Sequence, residues 1–598
     1  MPHRLTQSRS ALPPRPFPLA IALRTALADG YDLNDLRRDM LAGMVVGLVA
    51  LPLSMALAIA SGVPPQFGLY TAIVAGLLIA VLGGSRVQVS GPTAAFVVLL
   101  APVSARFGLG GLALATQMAG ALLLIFGLAR FGRFIEFIPY PVTTGFTSGI
   151  AVVIATLQMK DCLGLTVAHM PEGFPARVMA LWHALPTLRW PDAITTGATL
   201  AVLFILPRVT RRIPAPLVAL PLAALAAHFV GQVWPACSVA TIQDRFNYIL
   251  DGVSRPGIPQ LAPHFVWPWQ LPGPDGTPLK LTLELVRALA GSAFAIAILG
   301  AIESLLSAVV ADGMTGHKHD PDAELIAQGA GNLAAPFFGG FAATGAIART
   351  ATNIRAGARS PIAAIVHALF ILLAILLLAP LLGYLPMASM GALLLVVAWN
   401  MAEVRHVAHV LRIAPRNDVL VLVTCFGLTV VFDMVVSVTV GVMLAALLFM
   451  QRMADVSGVR LLGEEHPAVQ LPLPKGVMVY EMAGPLFFGA AQKAFSALKA
   501  IGRDVRCVVL NMSDVPTIDA TGLVNLESAI SRLHSMKVMV ILAGVRGQPA
   551  EALARAEIVP MPGRLEIRAD LEGAVALARA LMALNHATGE RSPVQSSG

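Results

Sequence analysis

Two residues of this 598-residue chain combine an unusual setting with a reactive group: a glutamate within an apolar run and an arginine just after a glycine break. Glu303 falls in the middle of an apolar stretch from about Arg287 to Ala311. An acid at that depth in a bilayer costs roughly 2.5–3.5 kcal/mol on insertion scales, so it is retained where it faces a protein interior and does work. A carboxyl that gains and loses a proton can couple ion movement to transport; the alternative is a structural carboxyl hydrogen-bonded to a backbone break. Ser307 lies one turn further along the same face, within reach of the same cavity. Arg349 follows the break Thr344-Gly345-Ala346-Ile347 by about a turn, and a guanidinium beside a helix N-terminus attracts an anion. Its alternatives are an ion pair with Glu303 or snorkelling towards water.

A partner for that break lies far upstream, where Gly83-Gly84 precedes Val89-Ser90-Gly91-Pro92-Thr93-Ala94-Ala95-Phe96. Thr93 and the free backbone N–H groups from Gly91 to Ala95 supply opposing donors, with Pro92 expected at the first helical position, where no donor is lost. Interrupted membrane helices in corresponding positions of two halves are the best sequence pointer to a carrier's binding site, because their N-termini aim positive dipoles at an anion. The residues thus point to a carrier of small anions. No glycine-rich phosphate loop, nucleophile elbow or pair of catalytic carboxylates stands in a credible context, so neither enzymatic chemistry nor ATP-driven transport is supported. His317 and His319, with Asp312, Asp320 and Asp322 nearby, read as a solvated loop in preference to a metal site, and no cofactor is expected.

The elements that must position these groups are membrane helices. The chain is 56% hydrophobic and 13% charged, with a mean hydropathy of +0.74. Apolar runs of helix-spanning length recur from about Asp39 to Met453, about fourteen in all. The first contains Pro52 and Ser54, and a proline there frees a carbonyl that only protein or a wet cavity can satisfy, so this helix borders the site. Basic residues gather in alternate loops: Arg37 and Arg38, Arg130 and Arg133, Arg208 to Arg212, Arg355 and Arg359, Arg405 to Arg416, and Arg452. The positive-inside rule makes these loops and both termini cytoplasmic. The net charge of +8 therefore reports topology and not nucleic-acid binding. Glu136, Lys160, Asp161 and Asp433 fall at span ends as ordinary interfacial charges. Cys162, Cys237, Cys425 and Cys507 form no metal spacing; unpaired thiols are expected, with a Cys162–Cys237 disulfide as the alternative.

Residues 1–36 read as a cytoplasmic lead-in, 37–453 as the transport domain, 454–584 as a linker and soluble α/β domain, and 585–598 as a disordered tail. In the soluble part, strands are expected at Met478–Met482, Arg506–Met512 and Lys537–Ala543, with helices at about Ala491–Ile501, Thr521–Leu533 and Ala550–Glu557.

The run Ser61 to Tyr70, the Val89-Ser90-Gly91-Pro92-Thr93 turn, Glu303-Ser304-Leu305-Leu306, Gln328-Gly329-Ala330-Gly331-Asn332 and Gly345 to Asn353 resemble the sulfate permease (SulP) family. The soluble tail, with Thr517-Ile518-Asp519-Ala520-Thr521-Gly522-Leu523, resembles its STAS domain. The resemblance covers nearly the whole chain. It implies an inverted repeat of two sets of about seven helices, core and gate domains, a homodimer in a bacterial cytoplasmic membrane, and an anion held between the third and tenth half-helices. Carried over by position, Gly91, Pro92, Thr93, Ala94 and Ala95 with Ala346, Ile347, Ala348 and Arg349 would line the anion site, and Glu303, with Ser307 alongside, would serve coupling. Many relatives have glutamine where this chain has Leu53. That departure, the Val397-Ala398-Trp399-Asn400-Met401 stretch and the Asp161-Cys162-Leu163-Gly164 turn look more like the bacterial C4-dicarboxylate branch. The resemblance then implies proton-driven uptake of succinate, fumarate or aspartate, with sulfate or bicarbonate transport, sodium coupling, an anion channel and a STAS-based sensor as alternatives. A cytoplasmic protein partner of the STAS domain is also implied. Thr521 sits where related turns carry a phosphorylated serine, though capping the next helix is the expected job.

Overall fold

A computed structural model describes residues 19–135, 138–167, 170–171, 173–210, 214–250, 252–456, 458–462, 473–487 and 504–589. The chain divides into two compact units, Met1–Val442 and Met443–Gly598. In the first, a short helix α1 (Ile21–Ala28) precedes α2 (Leu33–Ala60) and α3 (Pro65–Leu82). A two-residue strand, β1 (Ser90–Gly91), leads into α4 (Ala94–Leu128). Then follow α5 (Tyr140–Cys162), α6 (Phe174–Ala184), α7 (Trp190–Val209) and α8 (Pro216–Val233). A hairpin of β2 (Asn247–Leu250) and β3 (Val253–Pro256) occupies the long polar loop.

The second half repeats the plan with α9 (Leu283–Thr315), α10 (Pro321–Ala334), the strand β4 (Thr344–Gly345) and the nine-residue α11 (Ile347–Arg355). It continues with α12 (Ile362–Leu382), α13 (Met387–Ala402), α14 (Val404–Ile413), α15 (Arg416–Val431) and α16 (Met434–Val456).

Ten helices among the described residues are long and apolar enough to cross a membrane. The expected total of about fourteen is reached when α4 is divided and α10, α11 and α15 are included, these three being too short to qualify alone. Division of α4 occurs at Gly108, whose φ of 67° and ψ of −170° break the helix. A Cβ there would stand 2.4 Å from the Gly273 carbonyl carbon, so only glycine fits.

The packing shows the two-fold plan. The pair α2 and α12 matches the pair α9 and α4, and α3 on α10 and α5 on α13 are each their own counterpart. Glycines set the closeness of these crossings: a Cβ on Gly120 of α4 would lie 2.9 Å from the Gly329 carbonyl of α10, and one on Gly329 would lie 2.8 Å from the Gly120 carbonyl. Small residues let membrane helices approach in this way without a hydrophobic driving force. α2 runs unbroken through Pro52, which is buried. Buried Asp39 ties α2 to α12: its carboxylate accepts from Tyr31 Oη at 2.8 Å, the Arg359 N–H at 2.6 Å and Ser360 Oγ at 2.5 Å.

The second unit holds a five-stranded sheet in sequence order: β5 (Gly458–Leu462), β6 (Val477–Ala483), β7 (Cys507–Asp514), β8 (Met539–Ala543) and β9 (Leu565–Arg568). β5 runs antiparallel to β6, and every other pair is parallel. The fully buried run Cys507–Met512 fits a strand covered on both faces. α17 (Ala520–Ser535) and α18 (Gln548–Arg555) lie over Leu510, Val540 and Leu542, while α19 (Leu571–Gly589) covers Val509 and Ile541. The expected strands and the last two expected helices are present; Ala491–Ile501 lies outside the described residues. α19 corrects the expected tail, since Asn585–Gly589 continues the helix. Asp519, not Thr521, caps α17, its Oδ1 accepting from the Gly522 N–H at 2.7 Å, and Thr521 is exposed. The four cysteines are free, Cys162 buried and Cys237 exposed, so the alternative disulfide is not formed.

Candidate functional site

β1 and β4 pair antiparallel, Ser90 opposite Gly345 and Gly91 opposite Thr344, and the Ala346 N–H donates to the Val89 carbonyl at 2.9 Å. Two strands of two residues make a poor sheet but a good clamp. Each runs directly into a helix, so α4 and α11 begin beside one another. Neither N-cap, Thr93 or Ala346, uses its side chain to satisfy the N–H groups of the helix it opens. Both helix starts therefore present free donors and positive dipole ends at one place in the middle of the fold.

Pro92 departs from expectation. It lies before the N-cap and outside the first turn, and its carbonyl accepts from Arg349 Nη2 across 257 residues of sequence. This contact carries the guanidinium from α11 to the entry of α4. Arg349 is 3% exposed, which excludes snorkelling, and its Nε and Nη1 have no hydrogen-bond partner among the described residues. A Cβ on Gly91 would stand 2.6 Å from Nη1, so the glycine leaves room for the arginine head. No ion pair joins Arg349 to a carboxylate among the described residues, although Glu303 is near enough to act on it through space. The cation is thus left with donors to spare.

Glu303 projects from α9 towards the same place, its Oε2 accepting from Thr93 Oγ1 at 3.0 Å. Thr93 is thereby tied to the coupling candidate. Ala94 and Ala95 are buried, whereas Ile347 and Ala348 are exposed at the start of α11. Ser307 is fully buried and shares a hydrogen bond of 3.1 Å with Thr350 Oγ1 of α11. The helical spacing was right, but a neighbouring hydroxyl captures the serine.

A buried polar shell that sequence reasoning missed fixes the breaks. Ser304 Oγ meets Thr344 Oγ1 at 2.6 Å and accepts from the Gly345 N–H at 3.1 Å. Thr350 Oγ1 accepts from the Val89 N–H at 3.1 Å, and Asn353 Nδ2 donates to the Val87 carbonyl at 2.9 Å. The available signal was their adjacency to Glu303 and Arg349 in otherwise apolar helices. His319 Nδ1 pairs with Asp312 at 2.8 Å in a loop whose Asp320 N–H donates to the Gly84 carbonyl, and the described residues contain no metal-binding cluster. Of the charges placed at span ends, Asp161 pairs with Arg245 at 2.5 Å and Lys160 donates to the Val167 carbonyl at 3.1 Å; Glu136 lies outside the described residues.

Comparison with known proteins matches residues 36–424 to the sulfate permease family and residues 468–574 to the STAS domain. The chain belongs to the sulfate permease family. It is a multi-pass membrane anion transporter with a C-terminal STAS domain, and not an enzyme. Among its relatives, the chain is 39% identical to the "Putative sulfate transporter YvdB" of Bacillus subtilis, over 88% of this chain and 94% of that one. It is 30% identical to the "Bicarbonate transporter BicA" of Picosynechococcus, over 88% and 91%. The fold matches that of SLC26A9 with a TM-score of 0.79 at 18% identity, covering 95% of this chain and 93% of the other. The transmembrane domain of a cyanobacterial BicA matches with a TM-score of 0.56 at 25% identity, covering 69% and 98%.

Proposed function

We propose that this sulfate permease is a secondary transporter that holds a small oxyanion between the starts of α4 and α11, with Glu303 adjusting the charge of the site to that of the substrate. The observation that carries the reading is the side-by-side origin of the two helices from β1 and β4, bridged by Arg349. Two helix N-termini contribute roughly half a positive charge each, and Arg349 contributes one. With Glu303 ionised the site sums to about +1 and suits a monoanion such as bicarbonate; with Glu303 protonated it sums to about +2 and suits a dianion such as sulfate. Lower pH therefore favours dianion uptake, with a proton carried alongside. The names of the relatives support sulfate and bicarbonate. A C4-dicarboxylate such as succinate is a dianion of the same kind, and its claim rests on Leu53 and the Val397–Met401 stretch. The transporter works in a bacterial cytoplasmic membrane with both termini inside, as the basic loops favour, and as a homodimer, as the family resemblance implies.

The test is counterflow in proteoliposomes across sulfate, bicarbonate and succinate at several pH values. Glu303→Gln fixes the protonated charge, so it should keep dianion exchange and lose its pH dependence. Arg349→Ala should weaken anion affinity by more than about tenfold, or 1.4 kcal/mol. Unchanged pH dependence in the first variant, or unchanged affinity in the second, overturns the reading.

A further inference from the structure

α10 carries a line of polar residues that the transport chemistry leaves unused. Glu324, Gln328 and Asn332 stand four residues apart, on one face of the helix, and are 1%, 0% and 1% exposed. A carboxylate and two amides in such a place are costly unless every group has work.

Their partners are the two chain segments that lead into the helix starts. Glu324 Oε2 accepts from the Gly84 N–H at 3.0 Å and the Ser85 N–H at 3.3 Å. Its Oε1 accepts from Gln88 Nε2 and from Gln328 Nε2, both at 3.0 Å. Gln328 Nε2 also donates to Ser90 Oγ at 3.0 Å, which reaches β1 itself. One helical turn on, Asn332 Nδ2 donates to the Ala343 carbonyl at 2.9 Å while its Oδ1 accepts from the Ala343 N–H at 2.8 Å. That double contact mimics a strand pairing at the residue just before β4. The first two rungs thus hold the approach to β1 and the third holds the approach to β4.

We propose that Glu324, Gln328 and Asn332 form a positioning ladder that fixes the register of β1 against β4, and through it the spacing of the two helix starts that receive the anion. The proposal rests on the anion-site reading above. A rigid helix touching both approaches is a simple way to keep two short strands in register, since four residues of pairing cannot hold it alone. Glu324 acts here by hydrogen-bond geometry and not as a proton carrier. All four of its partners donate to it, and the amides of Gln88 and Gln328 each retain an oxygen without a partner among the described residues. A glutamine at 324 can therefore keep its oxygen on Gly84 and Ser85 and donate its NH2 to those two amides once they turn over.

The experiment measures sulfate and bicarbonate counterflow by the full-length protein in proteoliposomes, with thermal unfolding of each variant in nanodiscs. Glu324→Gln should keep KM within about threefold, whereas Glu324→Leu and Asn332→Leu, which remove the hydrogen bonds, should raise KM more than about tenfold. Glu324→Leu combined with Gln328→Leu should raise KM by less than the product of the two single effects, because the two residues share one bond of the network. Glu324→Gln as damaging as Glu324→Leu would show that charge and not geometry matters, and overturns the proposal. Leucine variants with unchanged KM, or with only a lower unfolding temperature and a reduced maximal rate, overturn it as well. If Glu324→Leu fails to fold, Gln328→Leu carries the same test, since it removes the amide that donates both to Glu324 Oε1 and to Ser90 Oγ. Arg349→Ala in the same assay separates the two readings: unchanged affinity there removes the anion site, while a weakened Arg349 variant beside an unaltered Asn332→Leu removes only the ladder.

Discussion

Replacing Gly91 by alanine tests the site with one methyl group. The new Cβ would stand 2.6 Å from Arg349 Nη1, with the next neighbour, the Ala72 Cα, at a comfortable 3.6 Å. The Gly91 φ of 158° is one that alanine rarely adopts, so the local backbone and the guanidinium must both adjust. Retreat from 2.6 Å to an ordinary contact of 3.4 Å is a shift of about 0.8 Å, which moves Nη1, a donor without a partner among the described residues, away from the helix starts. A hydrogen bond to a charged group contributes about 1.5–3 kcal/mol, and drawing a spare donor away from the anion costs about that much. Affinity should fall by tenfold to a hundredfold at about 1.4 kcal/mol per decade. The obstructed atom is the far end of a long side chain and the backbone strain is confined to one residue, so the fold should survive with a lowered unfolding temperature. The assay is the concentration dependence of counterflow, with thermal unfolding as the check on folding. Gly291→Ala, whose Cβ would meet nothing within 4 Å, is the control. A Gly91→Ala protein with KM within twofold of the parent would refute the placement of Arg349 at the anion.

Thiol chemistry gives a second check. Burial pushes the Cys507 thiol up to about 12, so it stays protonated at working pH and offers no thiolate, while Cys162 and Cys425 are buried and Cys237 is exposed. Maleimide at pH 8 should label Cys237 alone, and mass spectrometry showing early modification of Cys507 would contradict the sheet packing. In the STAS domain, Asp519→Ala removes the cap of α17 at a cost of about 1 kcal/mol. Amide exchange in its first turn should accelerate about fivefold, measured by hydrogen–deuterium exchange, and an unchanged rate would assign the cap elsewhere.

Hydropathy, glycine breaks and the isolated Glu303 and Arg349 were enough to fix the class of protein, the approximate spans and the two interrupted helices. These are local properties: an apolar run of spanning length must be a helix in lipid, and a glycine-marked break can end one. The α/β character of residues 477–543 was likewise written in strand-and-helix alternation, whereas β9 and α19 were missed because their signals are short or merge with a polar tail.

Which donors face one another was decided only by tertiary structure. Pro92 and Arg349, Thr93 and Glu303, and Glu324 and Gln88 are each more than two hundred residues apart, and nothing in the local pattern of either partner names the other. Ser307 shows the limit clearly: helical spacing placed it on the correct face, yet Thr350 from another helix took its hydroxyl. A sequence fixes what each segment can offer, but the register of β1 on β4 settles which offers meet, because hydrogen bonds form over about 3 Å and no periodicity reads distance across the fold.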